Sequence, residues 1–297
     1  MAAPTAWTST LICTEALKRA SISSPTATEL TRAASWLEEV KRDVTRERRY
    51  LKSLFTTSYG VTTIGKSKYA LPSDYIGNLS VTVLDGTNTG TAQAGAANTI
   101  TLASDEDITS AAIIGRYILV ISGTGLNSYG QCTGYDETTK IATVAANWAT
   151  NPASGSGYMV VDTSYPLGVA LPIQQIDSAL FFSSKSLPLA YSITGNATTG
   201  DITLYPAPDK VYGLQYRYYL NLQTLDLSGT LLSTLYENYV DVFIQGVLVR
   251  QTQDLDDARY AIELGLYKNM LKSLADDEFD SENFLEDVTV RGSYSTK

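Results

Sequence analysis

The 297-residue chain contains no histidine. That removes the commonest general base and the commonest transition-metal ligand together, and weakens most hydrolase schemes. Cysteine is nearly absent too. Cys13 and Cys132 lie far apart in different kinds of segment, so neither a disulfide framework nor a zinc site can be drawn from them. They read as reduced, buried small hydrophobes. Basic residues are scarce: 22 Lys and Arg against 31 Asp and Glu give a net charge of −9, which excludes a chain-wide attraction to nucleic-acid phosphates. No uncharged apolar run approaches the roughly 20 residues that cross a bilayer. The longest, VFIQGVLV at 242–249, is bounded by Asp241 and Arg250. The opening MAAPTAWTST lacks the basic start and apolar core of a signal peptide, so assembly in a cytoplasm is expected.

What remains suits a folded protein. A chain of this length buries roughly 75% of its unfolded surface as one large domain or two smaller ones. The hydrophobic fraction of 44% and charged fraction of 18%, with plentiful Gly, Thr, Ser and Tyr, indicate a β-rich soluble fold. One stretch, GVTTIGKS at 60–67, fits the expression of a phosphate-binding loop. Such a loop needs a strand before it and a helix after it, because the helix N-terminus supplies amides and a positive dipole end to the phosphates. Here a helix end precedes Gly60, and KYALPSDY follows, where Pro72 and the residue before it cannot continue a helix. The segment is expected to be a strand entering a β region, with Lys66 on an exposed edge.

Helical patterns lie at both ends. Residues 8–20 place Leu11, Ile12, Ala16, Leu17 and Ala20 near one face. Ser24-Pro25 predicts the start of a second helix, with Leu30, Ala33, Leu37, Val40, Val44, Leu51 and Leu54 along one stripe. About 30 residues would make it some 45 Å long. Its second half, KRDVTRERRYLK at 41–52, holds six of the 22 basic residues and reads either as a solvated face or as a docking surface for an acidic partner. Glu38 and Arg42 have the spacing to pair. Near the C-terminus, 233–250 is apolar nearly all round and should be central. Asp254 is then expected to cap a last helix with Ala258, Ile262, Leu266 and Met270 along one side. Gly265, which costs about 1 kcal/mol against alanine in a helix, suggests close helix contact there.

Between the helical ends the periodicity changes. Residues 86–162 carry only Arg116 and Lys140 against six acidic residues, with RYILVIS (116–122), QCTGY (131–135) and KIATVAA (140–146) as strands and the last two forming a hairpin across DETT. This reads as an inserted binding or spacer module. LAYSITG (189–195), DITLYP (201–206) and VYGLQYRYYL (211–220) read as a β-meander, with Tyr212, Leu214, Tyr216, Tyr218 and Leu220 on the packed face. Tyrosines so placed can also form a carbohydrate or base-stacking platform, but packing is the favoured use. Beyond the last helix, residues 276–287 hold seven carboxylates. Ser281 and Asp287 stand where a calcium loop needs glycine and a bidentate glutamate, so an extended arm is expected rather than a metal site.

The order of pieces resembles a known family. A long N-terminal helix leads to Tyr69, Leu71, Pro72 and Asp74 in a Y-x-LP-x-D pattern; then come LYPAPD (204–209), a tyrosine-rich strand ending near Asp226-Leu227-Ser228, and paired helices joined by QDLDDAR (253–259). This is similar to the head-to-tail adaptor proteins of tailed bacteriophages, in particular the podoviral connector and tail tubular type. The module at 86–162 resembles one recurring in phage virion proteins, through GTG, TGYD and the segment from Trp148 to Pro152. The resemblance implies an α+β fold: a bundle of two N-terminal and two C-terminal helices, an antiparallel β region, and an inserted small all-β module. The division implied is 1–85 with 163–275 as core, 86–162 as insert and 276–297 as arm. It implies a ring of twelve between portal and tail, extending a DNA channel without gripping the duplex and touching tail nozzle or fibre proteins. Lys41, Arg42, Arg46, Arg48, Arg49, Phe279, Phe284, Arg291 and Tyr294 are the docking candidates. No catalytic residue, cofactor or metal ligand is assigned. A tail fibre or receptor-binding protein is the alternative, motivated by the Thr-, Gly- and Tyr-rich insert.

Overall fold

The computed structural model describes residues 7–47, 51–168, 170–180, 185–195, 200–222 and 234–278. Among them are six helices: α1 (Ser9–Arg19), α2 (Ala27–Glu47), α3 (Ser110–Ile113), α4 (Ile173–Leu180), α5 (Thr234–Asp254) and α6 (Tyr260–Asp277). The strands begin with β1 (Phe55–Val61), β2 (Lys68–Ala70), β3 (Tyr75–Asp85), β4 (Asn88–Thr91), β5 (Ala94–Gly95), β6 (Thr99–Thr101) and β7 (Tyr117–Ser122). They continue with β8 (Tyr129–Asp136), β9 (Ile141–Val144), β10 (Gly157–Val161), β11 (Thr163–Pro166), β12 (Ala190–Thr194), β13 (Asp201–Tyr205) and β14 (Gly213–Leu220). The protein is therefore mixed α+β.

Two compact units result. The first comprises 1–56, 74–77 and 219–297; the second comprises 57–73 and 78–218. Residues 57–73, 78–85 and 163–218 therefore lie in one unit with residues 86–162.

In the first unit, α1, α2, α5 and α6 bury one cluster. Ile12, Ala16 and Leu17 of α1 meet Ala33, Leu37, Val40 and Val44 of α2, with Phe243, Ile244 and Val247 of α5 fully buried among them. Each of the larger side chains among these, Val, Leu, Ile or Phe, contributes roughly 1.5–3 kcal/mol on burial. Leu11, expected on the inner face of α1, is 40% exposed. Helix α2 starts later and ends earlier than its pattern predicts. Its cap is Thr26, not Ser24: the Thr26 hydroxyl accepts from the Glu29 amide at 3.3 Å, and Glu29 Oε2 accepts from the Thr26 amide at 2.7 Å. These reciprocal bonds form a capping box, and the Thr26 amide and hydroxyl, both donating to the Glu29 carboxylate, hold that carboxyl below its ordinary pKa. At the other end Leu51 is already extended, and Lys52–Leu54 form a single 3₁₀ turn. Leu51 and Leu54 are buried as expected, but not as parts of the long helix.

The second unit is built on sheets. A seven-stranded sheet, ordered β4-β10-β7-β8-β9-β6-β5, draws every strand from 88–161 and is antiparallel throughout. The expected strands are present in β7, β8 and β9, including the β8–β9 hairpin. The sequence reading missed β4, β5, β6 and β10. Its core holds Ile100, Ile113, Ile118, Val120, Ala142 and Tyr158. The meander reading needs correction. β12 and β13 form the expected hairpin, but the third strand does not continue it: β13 pairs with β2, whereas β14 lies between β1 and β3 in a sheet ordered β1-β14-β3-β11. Tyr212, Leu214, Tyr216 and Tyr218 are buried as predicted, while Leu220 is only partly so. The alternation then breaks, because Tyr219 is fully buried as well, in the helical cluster. Cys13 and Cys132 are free and buried.

Candidate interaction surface on the helical unit

The basic half of α2 divides once its side chains are placed. Lys41 is 2% exposed, with its ammonium 2.6 Å from Glu38. It is turned inward and does not belong to an exposed docking set; Glu38 takes Lys41 rather than the expected Arg42. Arg42 is exposed and has no ion-pair partner among the described residues. Arg46 is also exposed and stands 3.8 Å from Asp43. At that range and exposure the pair contributes little. Arg48, Arg49, Phe279, Phe284, Arg291 and Tyr294 lie outside the described residues.

Between α2, α5 and α6 runs a groove of about 700 Å³. One wall carries Glu39, Asp43 and Glu47 of α2, and the opposite wall carries Lys268 and Lys272 of α6. Its floor includes Val249, Leu264, Tyr267 and Leu271. Arg250 of α5 ties the groove together: it pairs with Asp43, lies 3.6 Å from Glu39, and sits 5.6 Å from the centre of the Tyr267 ring. The Tyr267 hydroxyl donates to Asp43 at 3.4 Å. Burial, and then the Asp43 charge, push that phenol up, so it stays a protonated donor. Sequence spacing gave no hint of this link between positions 43, 250 and 267.

Helix α6 departs further from expectation. Asp254 is the last residue of α5 and caps nothing; α6 begins at Tyr260 after a turn in which Asp257 accepts from the Arg259 amide at 2.9 Å. The buried row is Tyr267, Leu271, Leu274 and Ala275. Ile262 and Leu266, expected inside, are 75% and 50% exposed, and Leu255 just before the helix is 58% exposed. Gly265 has nothing within 4 Å of where a Cβ would stand, so it marks no close helix contact. The helix carries two apolar rows, and only packing decides which one is covered. At its end, residues read as the start of an arm remain helical through Asp277. Glu278 is buried, and its carboxylate accepts from the Ser53 amide at 2.9 Å and the Ser53 hydroxyl at 2.7 Å.

The segment that resembled a phosphate loop is not one. β1 ends at Val61, a turn with Gly65 at φ +74 follows, and the chain enters β2 at Lys68. No helix N-terminus follows the turn. Tyr69 closes it, accepting from the Thr63 amide at 3.0 Å and donating to the Lys66 carbonyl at 2.7 Å. Lys66 is exposed, as expected.

Four packed helices with an ion-paired groove and exposed apolar side chains on α6, in a chain that also carries antiparallel sheets, make this an α+β protein with surface for contact, and residues 60–67 are not a nucleotide loop. The chain belongs to the SU10 adaptor protein family, whose family model matches residues 11–290. It is thus a structural phage adaptor, of a family that is not a class of enzymes. No curated protein matches it.

Proposed function

We propose that this adaptor forms a ring between portal and tail, in the manner of the podoviral connector type, with neighbouring copies and the portal as its direct partners. The observation that carries the reading is the family match across residues 11–290. The exposed Ile262 and Leu266 of α6, with exposed Leu255 in the turn before it, support it, because a folded chain that leaves such side chains uncovered has apolar area to bury against another molecule. Arg42 and Arg46 on α2 offer charge for an acidic partner, without Lys41. Residues 86–162 serve as an inserted module, and the segment 276–297 takes part in contact with the portal or a neighbouring subunit. A net charge of −9 per subunit suits a channel wall, since each neutralised phosphate would add affinity and therefore drag on passing DNA.

The test is reconstitution. Purified chain mixed with its portal should give a complex of fixed stoichiometry in mass measurement, twelve copies being the expected number, and removal of residues 279–297 should weaken it. A stable free trimer indifferent to the portal would instead indicate a fibre.

A further inference from the structure

The second unit contains a slot that the adaptor reading does not use. Its volume is about 320 Å³, and it is lined by residues 58–61 of β1, by residues 69–72, by Leu126 and Asn127 of the turn after β7, and by Tyr216. β1 is the terminal strand of its sheet, and β2 is the terminal strand of another. Successive side chains of a strand point to opposite faces, so a wall made of side chains would use every second residue. Four consecutive residues of β1 on one wall mean that its open edge faces the slot; on the other wall the Leu71 amide donates to Gly200 and Tyr69 pairs with Ile202 of β13, so Ala70 is the β2 residue whose N–H and C=O lie on the open edge. Unpaired edges of this kind are templates for another strand.

The floor adds a third hydrogen-bonding element. Tyr216 of β14 lines the slot, is 6% exposed, and its hydroxyl has no hydrogen-bond partner among the described residues. Burial raises its phenol pKa, so the group remains a donor. Gly60 keeps it within reach: a Cβ there would stand 3.0 Å from the Tyr216 ring and 3.2 Å from its oxygen.

We propose that this slot accepts an extended segment of a partner polypeptide, which pairs its backbone with β1 and β2 and takes the Tyr216 hydroxyl with a carbonyl. Four residues of wall span about 13 Å at roughly 3.3 Å per residue, enough for a short strand. A sugar fits the slot less well, because the aromatic faces it would stack on are engaged. Tyr59 stacks on Tyr129 at 4.0 Å, and Lys66 stands over Tyr69 at 5.2 Å. The lining carries no charge, while Lys66 and Lys68 are exposed beside it, and no Asp or Glu occurs between residues 48 and 73. Asp201 lies opposite Ala70 on β13, on the edge of β2 away from the slot. The segment that fits is therefore β-forming and uncharged at its centre, with acidic flanks.

This inference goes beyond the adaptor reading and does not depend on it, so it is tested on the isolated full chain. The probe is a blocked octapeptide of alternating threonine and valine with a glutamate at each end, titrated into isotope-labelled protein and read by amide-resolved NMR. Saturable shifts are expected at residues 58–61 and at Ala70. A peptide with proline at alternate positions, which has lost those amide donors, should bind at least about tenfold more weakly. Tyr216→Phe should weaken the threonine–valine peptide by about tenfold while leaving the fold intact. Maltose serves as the sugar control. Absence of shifts at the two edges, equal binding of the proline peptide, or shifts from maltose alone would overturn the proposal.

Discussion

Helices α5 and α6 are neighbours in sequence and close in length, 21 and 18 residues, but they meet their surroundings differently. On α5, Val242, Phe243, Ile244, Val247, Leu248 and Val249 are all buried, and Gly246 sits where a Cβ would come within 2.6 Å of Val40 and 3.0 Å of Tyr267. On α6, one row is buried and the other, with Ile262 and Leu266, faces outward around a glycine that touches nothing. The first helix is finished by its own chain. The second is finished on one side only, which is the condition expected of a subunit that completes its burial in an assembly.

The two glycines sharpen this contrast most. Gly246→Leu must push α5 away from α2 and α6, and overpacking of this kind should destabilise the chain by about 3 kcal/mol, read as a lowered midpoint in urea unfolding. Gly265→Ala should do the opposite, raising stability by about 0.5–1 kcal/mol, because it adds helix propensity and meets open space. A loss of stability there would mean that the outer row of α6 is covered within the chain. The smallest effect on folding belongs to the double variant Ile262→Ser with Leu266→Ser, whose stability should stay within roughly 0.5 kcal/mol of the parent. Its self-association and portal binding in sedimentation should weaken. Unchanged association would show that Ile262 and Leu266 are not part of the contact surface.

Legibility from sequence follows the same line. The buried α5 was readable, because an apolar surface all round has only one place to go. The strands of 116–146 were readable from alternation and a strong turn. The length of α2 was misread because Leu51 and Leu54 keep helical spacing while lying outside the helix. Its true start was in plain view as Thr26-Ala27-Thr28-Glu29, a capping-box signature overshadowed by Ser24-Pro25. The meander failed at β14, since adjacency in sequence predicts pairing only as a tendency. At the interaction surface, charge counting grouped Lys41 with Arg42 although the two point to different sides of the helix. The bond between Asp43 and Arg250 joins residues too far apart for any local rule to find.

The proposed role is that of a ring-forming adaptor. Electron cryo-microscopy of the intact particle tests that most directly: density for this fold should appear as a closed ring beneath the portal, with the outer row of α6 covered by a neighbouring molecule. Its appearance in a fibre, or its absence from the neck, would contradict the account.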